Sequence, residues 1–134
     1  MGCAVEQTLR DALMAYGMDV DATLLRYGGN EALLLRHLLR FPQEQSFAAL
    51  QKAMDEGAQE AVQAACHSLK GVSGNLGLTP LYAAASRMMA CLRATDAAGA
   101  GLAWRDVETA YRSAVALLEA VQAPLGAVLS QPRP

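Results

Sequence analysis

Apolar residues recur at intervals of three and four along most of the chain, which is the spacing of one buried face on an α-helix. The pattern is regular toward the C-terminus, at Trp104, Val107, Tyr111, Ala114, Leu118 and Val121. It predicts a long last helix, which Pro124 should end because proline lacks the backbone N–H that a helix interior needs. A second regular stripe predicts a helix over residues 58–76, with its apolar positions at Val62, Ala65, Leu69, Val72 and Leu76.

Glycine, proline and capping residues divide the first half of the chain into shorter helices. Gly17 is predicted to close a first helix over residues 5–16, and Asp21 to cap a brief turn that follows. Asn30 is predicted to cap the next helix, whose apolar stripe consists of Leu34, Leu38 and Phe41. Pro42 should end or kink that helix before the apolar pattern resumes.

The second half of the chain is predicted to contain three further helices. Gly57 separates residues 58–76 from the preceding helix, and Thr79 is predicted as the N-cap of the next, with Pro80 in its first position. Residues 96–101 are small and are predicted to form a loop. Four long amphipathic helices joined by short loops predict an all-α fold, an antiparallel four-helix bundle preceded by one or two short N-terminal helices.

Length and composition agree with a single helical domain. The chain has 134 residues, of which 53% are hydrophobic and only 5% aromatic, a balance more typical of packed helices than of a sheet. Residues 1–124 are therefore predicted to form one domain, most simply a monomer, and residues 125–134 a flexible C-terminal tail.

Charge and cysteine content exclude several classes of function. The net charge is −2 and no basic run is present, so nucleic-acid binding is not expected. No apolar run approaches the ~18 residues of a membrane span, so no direct membrane contact is expected. Cys3, Cys66 and Cys91 are too scattered for a disulfide framework or a metal site, and their odd number without a secretory signal predicts the cytoplasm.

His67 is predicted to face solvent. On a helical wheel, at about 100° per residue, it lies opposite the apolar stripe of residues 58–76. Gln63, Lys70, Gly71 and Gly74 share its face, at offsets of −4, +3, +4 and +7. An imidazole is substantially neutral at cytoplasmic pH, so a ring nitrogen is free to act as a nucleophile.

The neighbours of His67 favour a docking and transfer site. Each glycine costs roughly 1 kcal/mol relative to alanine inside a helix, and neither Gly71 nor Gly74 lies on the predicted core stripe. They would lower the surface beside His67 and let a partner approach the ring. Lys70, one turn away, could neutralise the oxygens of a phosphoryl group held on the imidazole.

The segment HSLKGVSGNLG at residues 67–77 resembles the signature of histidine-containing phosphotransfer (HPt) domains. The segment LRYGGNE at residues 25–31 resembles the family's entry to its second helix, so the resemblance spans about residues 20–121. Pro42 departs from the uninterrupted helix of many family members.

The resemblance implies a function and its partners. His67 would accept a phosphoryl group from a receiver-domain aspartate and pass it to another receiver, with Lys70 stabilising its charge. Gly71 and Gly74, with Gln63, would serve receiver access and docking. The chain would bind no cofactor or metal, because the receiver is expected to supply Mg²⁺, and it would have no autokinase activity. If it were cut from a hybrid sensor histidine kinase, the parent protein would be the kinase and could tether it to the membrane.

Two alternatives remain from the sequence. The first is a bundle that docks receivers without transferring a phosphoryl group. The second is the phosphoacceptor region of a sensor kinase, but its histidine is typically followed by an acidic residue and an Arg-x-Pro pattern, whereas Ser68 follows His67 here. His37 lacks neighbouring glycines and is predicted to be structural or merely exposed.

Overall fold

A computed structural model of the chain describes the backbone of residues 3–130 and the side chains of residues 7–120. Within this part the chain forms seven α-helices and one short 3₁₀ helix, with no strand. The helices are α1 (Cys3–Tyr16), α2 (Val20–Arg26), α3 (Glu31–Arg40), the 3₁₀ helix (Phe41–Gln43), α4 (Ser46–Glu56), α5 (Gln59–Asn75), α6 (Thr79–Arg93) and α7 (Ala97–Ser130). The predicted all-α fold is confirmed.

Capping side chains set the starts of the N-terminal helices. The prediction for Asn30 is confirmed, since its side chain accepts a hydrogen bond from the backbone N–H of Leu33 at 3.0 Å. The prediction for Asp21 is wrong. Asp19 caps α2 instead, accepting from the N–H of Ala22 at 3.0 Å, while Asp21 lies in the first turn and pairs with Arg10 at 2.6 Å.

Helix breaks at proline and glycine fall where the sequence predicts them. Helix α3 ends just before the 3₁₀ turn that contains Pro42, and α4 begins three residues after that turn. Gly57 ends α4 in the left-handed conformation, with φ of 65°, which glycine adopts without steric cost. Helix α5 begins and ends within one residue of its predicted limits.

The start of α6 differs from the prediction. Thr79 is already the first helical residue, and the N-cap is Leu78, which makes no side-chain capping bond. The Thr79 hydroxyl donates instead to the carbonyl of Gly77 at 3.3 Å. Gly77 has φ of 71°, and a Cβ there would overlap the Thr23 hydroxyl of α2, so the α5–α6 turn requires glycine.

Both ends of α7 correct the sequence prediction. The expected loop over residues 96–101 is wrong beyond its first residue, because the Asp96 side chain accepts from the N–H of Gly99 at 2.9 Å and starts the helix at Ala97. The expected stop at Pro124 is also wrong, since the helix continues to Ser130. A proline removes one donor, which a long helix can tolerate at a local cost. The rest of the predicted tail, residues 131–134, lies outside the described residues.

The core lies where successive helices pack together. Helix α5 contacts α4 and α6, α6 contacts α7, and α1 and α3 also pack on α7. The predicted stripe of α5 is buried except for Val72, which is half-buried. The stripe is wider than predicted because Cys66 and Ser73 are also fully buried. The Ser73 hydroxyl donates to the Leu69 carbonyl at 2.8 Å, which satisfies its polarity inside the helix.

An aromatic cluster joins α4 to α7. The ring of Phe47 stacks on Tyr111 with centroids 3.9 Å apart and on Trp104 at 5.5 Å, and Phe41 packs against Tyr111 at 5.6 Å. Stacked rings contribute beyond the area they bury. The cluster therefore anchors one side of the fold through contacts that do not involve α5.

Candidate functional site

His67 lies on the outer face of α5, as the helical wheel predicts. Its side chain is exposed, and so are Gln63 and Gly71, whereas Lys70 and Gly74 are half-buried. The preceding residue, Cys66, is fully buried and its thiol donates to the Ala85 carbonyl at 3.5 Å. The packing of the Cys66 face against neighbouring helices fixes the orientation of α5, so the His67 imidazole faces outward.

An open groove of about 620 Å³ runs along this face. Its lining includes His67, Lys70, Gly71 and Gly74 of α5, Arg26 of α2 and Tyr82 of α6. Four of the five predicted site residues therefore come together, and Gln63 lies on the same helix face but outside the groove. With two cations and an imidazole in one concave surface, the groove is suited to an anionic group.

The Lys70 side chain extends toward α6. Its Nζ lies 6.0 Å from the centroid of the Tyr82 ring, within the range of a cation–π interaction. No described carboxylate forms an ion pair with Lys70, so among residues 7–120 its charge is not neutralised by a salt bridge. Residues three apart on a helix are neighbours, so Lys70 and His67 occupy adjacent positions on one face of α5, and both line the groove.

The two glycines of the groove have different surroundings. A Cβ added at Gly71 would meet nothing within 4 Å, so the open approach inferred from the sequence agrees with its position. A Cβ at Gly74 would lie 2.9 Å from Cδ1 and Cε1 of Tyr82. Close packing against an aromatic ring therefore accounts for Gly74, although it lies off the predicted core stripe, but not for Gly71.

The thiol beside His67 is a poor competing nucleophile. Burial raises the pKa of the Cys66 thiol to about 11, although the nearby Lys70 charge acts in the opposite direction. A thiol reacts as its thiolate, which is scarce well below its pKa. Of these two adjacent side chains, the imidazole of His67 is therefore the accessible nucleophile.

His37 lies in a different environment. It is half-buried on α3, and its ring packs against Tyr27 with centroids 5.6 Å apart and planes inclined by 42°. The Tyr27 hydroxyl in turn accepts a hydrogen bond from the Asn75 side chain at 2.9 Å, which ties the end of α5 to the α2–α3 connection. The predicted structural role of His37 agrees with these contacts.

Sequence reasoning did not identify Arg26 and Tyr82 as groove residues. A helical wheel arranges residues of one helix, whereas these two reach the groove from α2 and α6. The sequence offered only a weak signal, an aromatic residue beside the apolar stripe of α6. In the structure, Tyr82 is 41% exposed.

The described residues contain neither a candidate metal site nor a candidate membrane span. Within the described part of the chain, no group of three or more His, Cys, Asp or Glu side chains is arranged to hold a metal ion. None of the helices, over the residues described, is long and apolar enough to cross a membrane.

Comparison with known proteins identifies the family. The sequence model of the Hpt domain matches residues 34–124, which is more than half of the chain and includes the groove residues of α5 and α6. No individual curated protein matches the chain, and no solved structure does. With its helical fold and its exposed histidine within the matched region, the chain belongs to the Hpt domain family, whose members take part in phosphorelay signalling and interact with receiver domains.

Proposed function

We propose that this domain is a phosphorelay intermediate that accepts a phosphoryl group on His67 from a receiver-domain aspartate and passes it to another receiver. The observation that carries the proposal is the position of His67. It is exposed in a groove that Lys70 also lines, on a helix whose other side is buried, and no carboxylate among residues 7–120 forms an ion pair with that lysine. Membership of the Hpt domain family supports the same function.

The chemistry would be a reversible transfer between two nucleophiles. A ring nitrogen of His67 attacks the phosphorus of the receiver's aspartyl phosphate with its lone pair. The N–P bond forms as the P–O bond to the aspartate breaks, and the electron pair of that bond remains on the carboxylate. In the second transfer, a carboxylate of the next receiver attacks the same phosphorus and the imidazole leaves with its lone pair. Such reactions depend mainly on in-line positioning and charge neutralisation.

Lys70 would neutralise part of the phosphoryl charge during both transfer steps. Lys70 is one helical turn from His67 and lines the same groove, and a charge-assisted hydrogen bond to a phosphoryl oxygen is stronger than a neutral one. The receiver would supply the acidic pocket and Mg²⁺, and this chain would bind no cofactor of its own. The domain would thus be a carrier without autokinase activity.

The remaining site residues would serve docking. Gly71 leaves the surface beside His67 open, and Gln63 is exposed one turn earlier on the same face. Gly74 would contribute indirectly, through the ring that covers it. We infer that receivers dock on this face of a monomeric cytoplasmic domain that folds as an antiparallel four-helix bundle with short N-terminal helices. Short connections between successive packed helices support that arrangement.

The test is acceptance of a labelled phosphoryl group. The wild-type domain, His67→Gln and His37→Gln are each mixed with a phosphorylated receiver and Mg²⁺. We expect acid-labile, base-stable label on the wild type and on His37→Gln, and none on His67→Gln. Equal labelling of His67→Gln would overturn the assignment, and binding of the receiver without any label would favour the docking-only alternative. Strong labelling by ATP alone would instead indicate a kinase.

A further inference from the structure

Tyr82 of α6 lies close to two residues of α5 in the groove, Gly74 and Lys70. The ring of Tyr82 covers Gly74, where a Cβ would come within 2.9 Å of two of its carbons. The Nζ of Lys70 lies 6.0 Å from the centroid of the same ring. Gly74 and Lys70 are four residues apart on α5, so they are neighbours on one face of that helix. The ring therefore lies close to α5 at Gly74 and within cation–π range of the Lys70 ammonium.

We propose that Tyr82 is a positioning residue that holds the Lys70 ammonium in the groove beside His67, ready for the phosphoryl group. This proposal rests on the proposed function of His67 and Lys70. It assigns Tyr82 no contact with the reacting atoms. It also explains Gly74, whose lack of a side chain lets the ring lie close enough to α5 to reach the lysine.

The need for such a residue follows from the chemistry of lysine. Its ammonium sits on a flexible four-carbon chain that can adopt many rotamers, and most would direct the charge into solvent. No described carboxylate fixes Lys70 by an ion pair, and such a carboxylate would also neutralise the charge needed by the phosphoryl group. The face of an aromatic ring attracts the ammonium without cancelling its charge.

The expected size of the effect is small and specific. A cation–π contact at an exposed site contributes about 0.5–1 kcal/mol, which changes the ratio of lysine rotamers held over the ring to those in solvent by about two- to fivefold. Removing the ring should therefore slow transfer less than removing the lysine itself. It should also have no effect once the lysine is gone, because the ring would then have nothing to position.

The test combines a kinetic cycle with a spectroscopic readout. Tyr82→Leu and Tyr82→Phe are made in the wild-type and Lys70→Ala backgrounds, and the rate of transfer from a phosphorylated receiver is measured for each. Tyr82→Leu should slow transfer about two- to fivefold in the wild-type background and leave the Lys70→Ala rate unchanged. Tyr82→Phe keeps the ring and should transfer at the wild-type rate.

Nuclear magnetic resonance of the domain alone tests the contact without any transfer. The ε-methylene protons of Lys70 should show an upfield ring-current shift that persists in Tyr82→Phe, is lost in Tyr82→Leu and decreases in Gly74→Ala. Absence of that shift in the wild type would overturn the proposal, as would equal slowing by Tyr82→Leu in both backgrounds, which would make the ring a receiver contact. A wild-type domain that shows the shift but accepts no phosphoryl group would refute the proposed function, and with it the role of the contact.

Discussion

The two faces of α5 have opposite surroundings although their residues alternate along the same turns. On one face, Cys66 and Leu69 are fully enclosed by neighbouring helices. On the other, His67 and Gly71 are exposed and border the groove. The residues that stabilise the fold therefore share few neighbours with those proposed to carry the chemistry. Substitutions on the two faces should affect different measurements.

The largest expected effect is on stability and comes from the buried face. Leu69→Ala removes side-chain atoms that are fully buried, so the free energy of unfolding should fall by about 2–5 kcal/mol. His67→Ala, on the exposed face, should change it by no more than about 0.5 kcal/mol. Urea denaturation followed by circular dichroism measures both. Equal losses in the two variants would show that the faces are not separated as described.

The next effect is on transfer alone. Lys70→Ala should slow phosphoryl transfer about tenfold, equivalent to about 1.4 kcal/mol, because it removes the charge beside the phosphoryl oxygens. The matched control is Lys52→Ala, which changes the chain's one other lysine, exposed on α4. Both variants should keep the free energy of unfolding within about 1 kcal/mol of the wild type, since Lys70→Ala loses only the cation–π contact with Tyr82. Equal transfer rates for the two would remove Lys70 from the mechanism.

A smaller effect separates the two glycines of the groove. Gly71→Ala should raise the free energy of unfolding by about 0.5–1 kcal/mol, since alanine is the better helix residue and its Cβ meets open space. Gly74→Ala should gain less or lose stability, because its Cβ displaces the Tyr82 ring. Urea denaturation of the two variants side by side measures the difference. An equal gain in the free energy of unfolding would contradict the close approach of Tyr82 to α5.

The smallest effect is expected at the end of α5. Tyr27→Phe removes the hydroxyl that accepts from Asn75 in an exposed hydrogen bond, so stability should fall by about 0.5 kcal/mol. Transfer should stay at the wild-type rate, because the contact lies beyond the reacting imidazole. A parallel loss of transfer would extend the functional face to the α2–α3 connection.

The sequence predicted most of α5 and the orientation of His67, because one helical period determines which side of a helix is apolar. It also predicted the breaks at Pro42 and Gly57, whose backbone chemistry acts locally. It failed where neighbours decide the outcome. Residues 97–101 are helical and bury Ala100 against the rest of the fold, and the Asp96 cap that starts this helix is a local signal that the predicted loop overlooked. Small residues alone do not predict such packing.

The site was predictable to the same extent. His67, Lys70, Gly71 and Gly74 lie in one groove, as their spacing on a single helix predicted. Arg26 and Tyr82 come from other helices, and the position of Gly74 under an aromatic ring depends on how α5 and α6 pack. Helical periodicity contains no information on that packing.

The central claim is that His67 carries a phosphoryl group between two receivers, and a pulse–chase experiment with peptide mapping at alkaline pH tests it directly. The domain is labelled by a phosphorylated receiver, separated from it, and mixed with a second, unphosphorylated receiver and Mg²⁺. We predict that the label maps to His67, is absent from His37, and moves to the second receiver. Label on His37, or label on His67 that no receiver can remove, would contradict the claim.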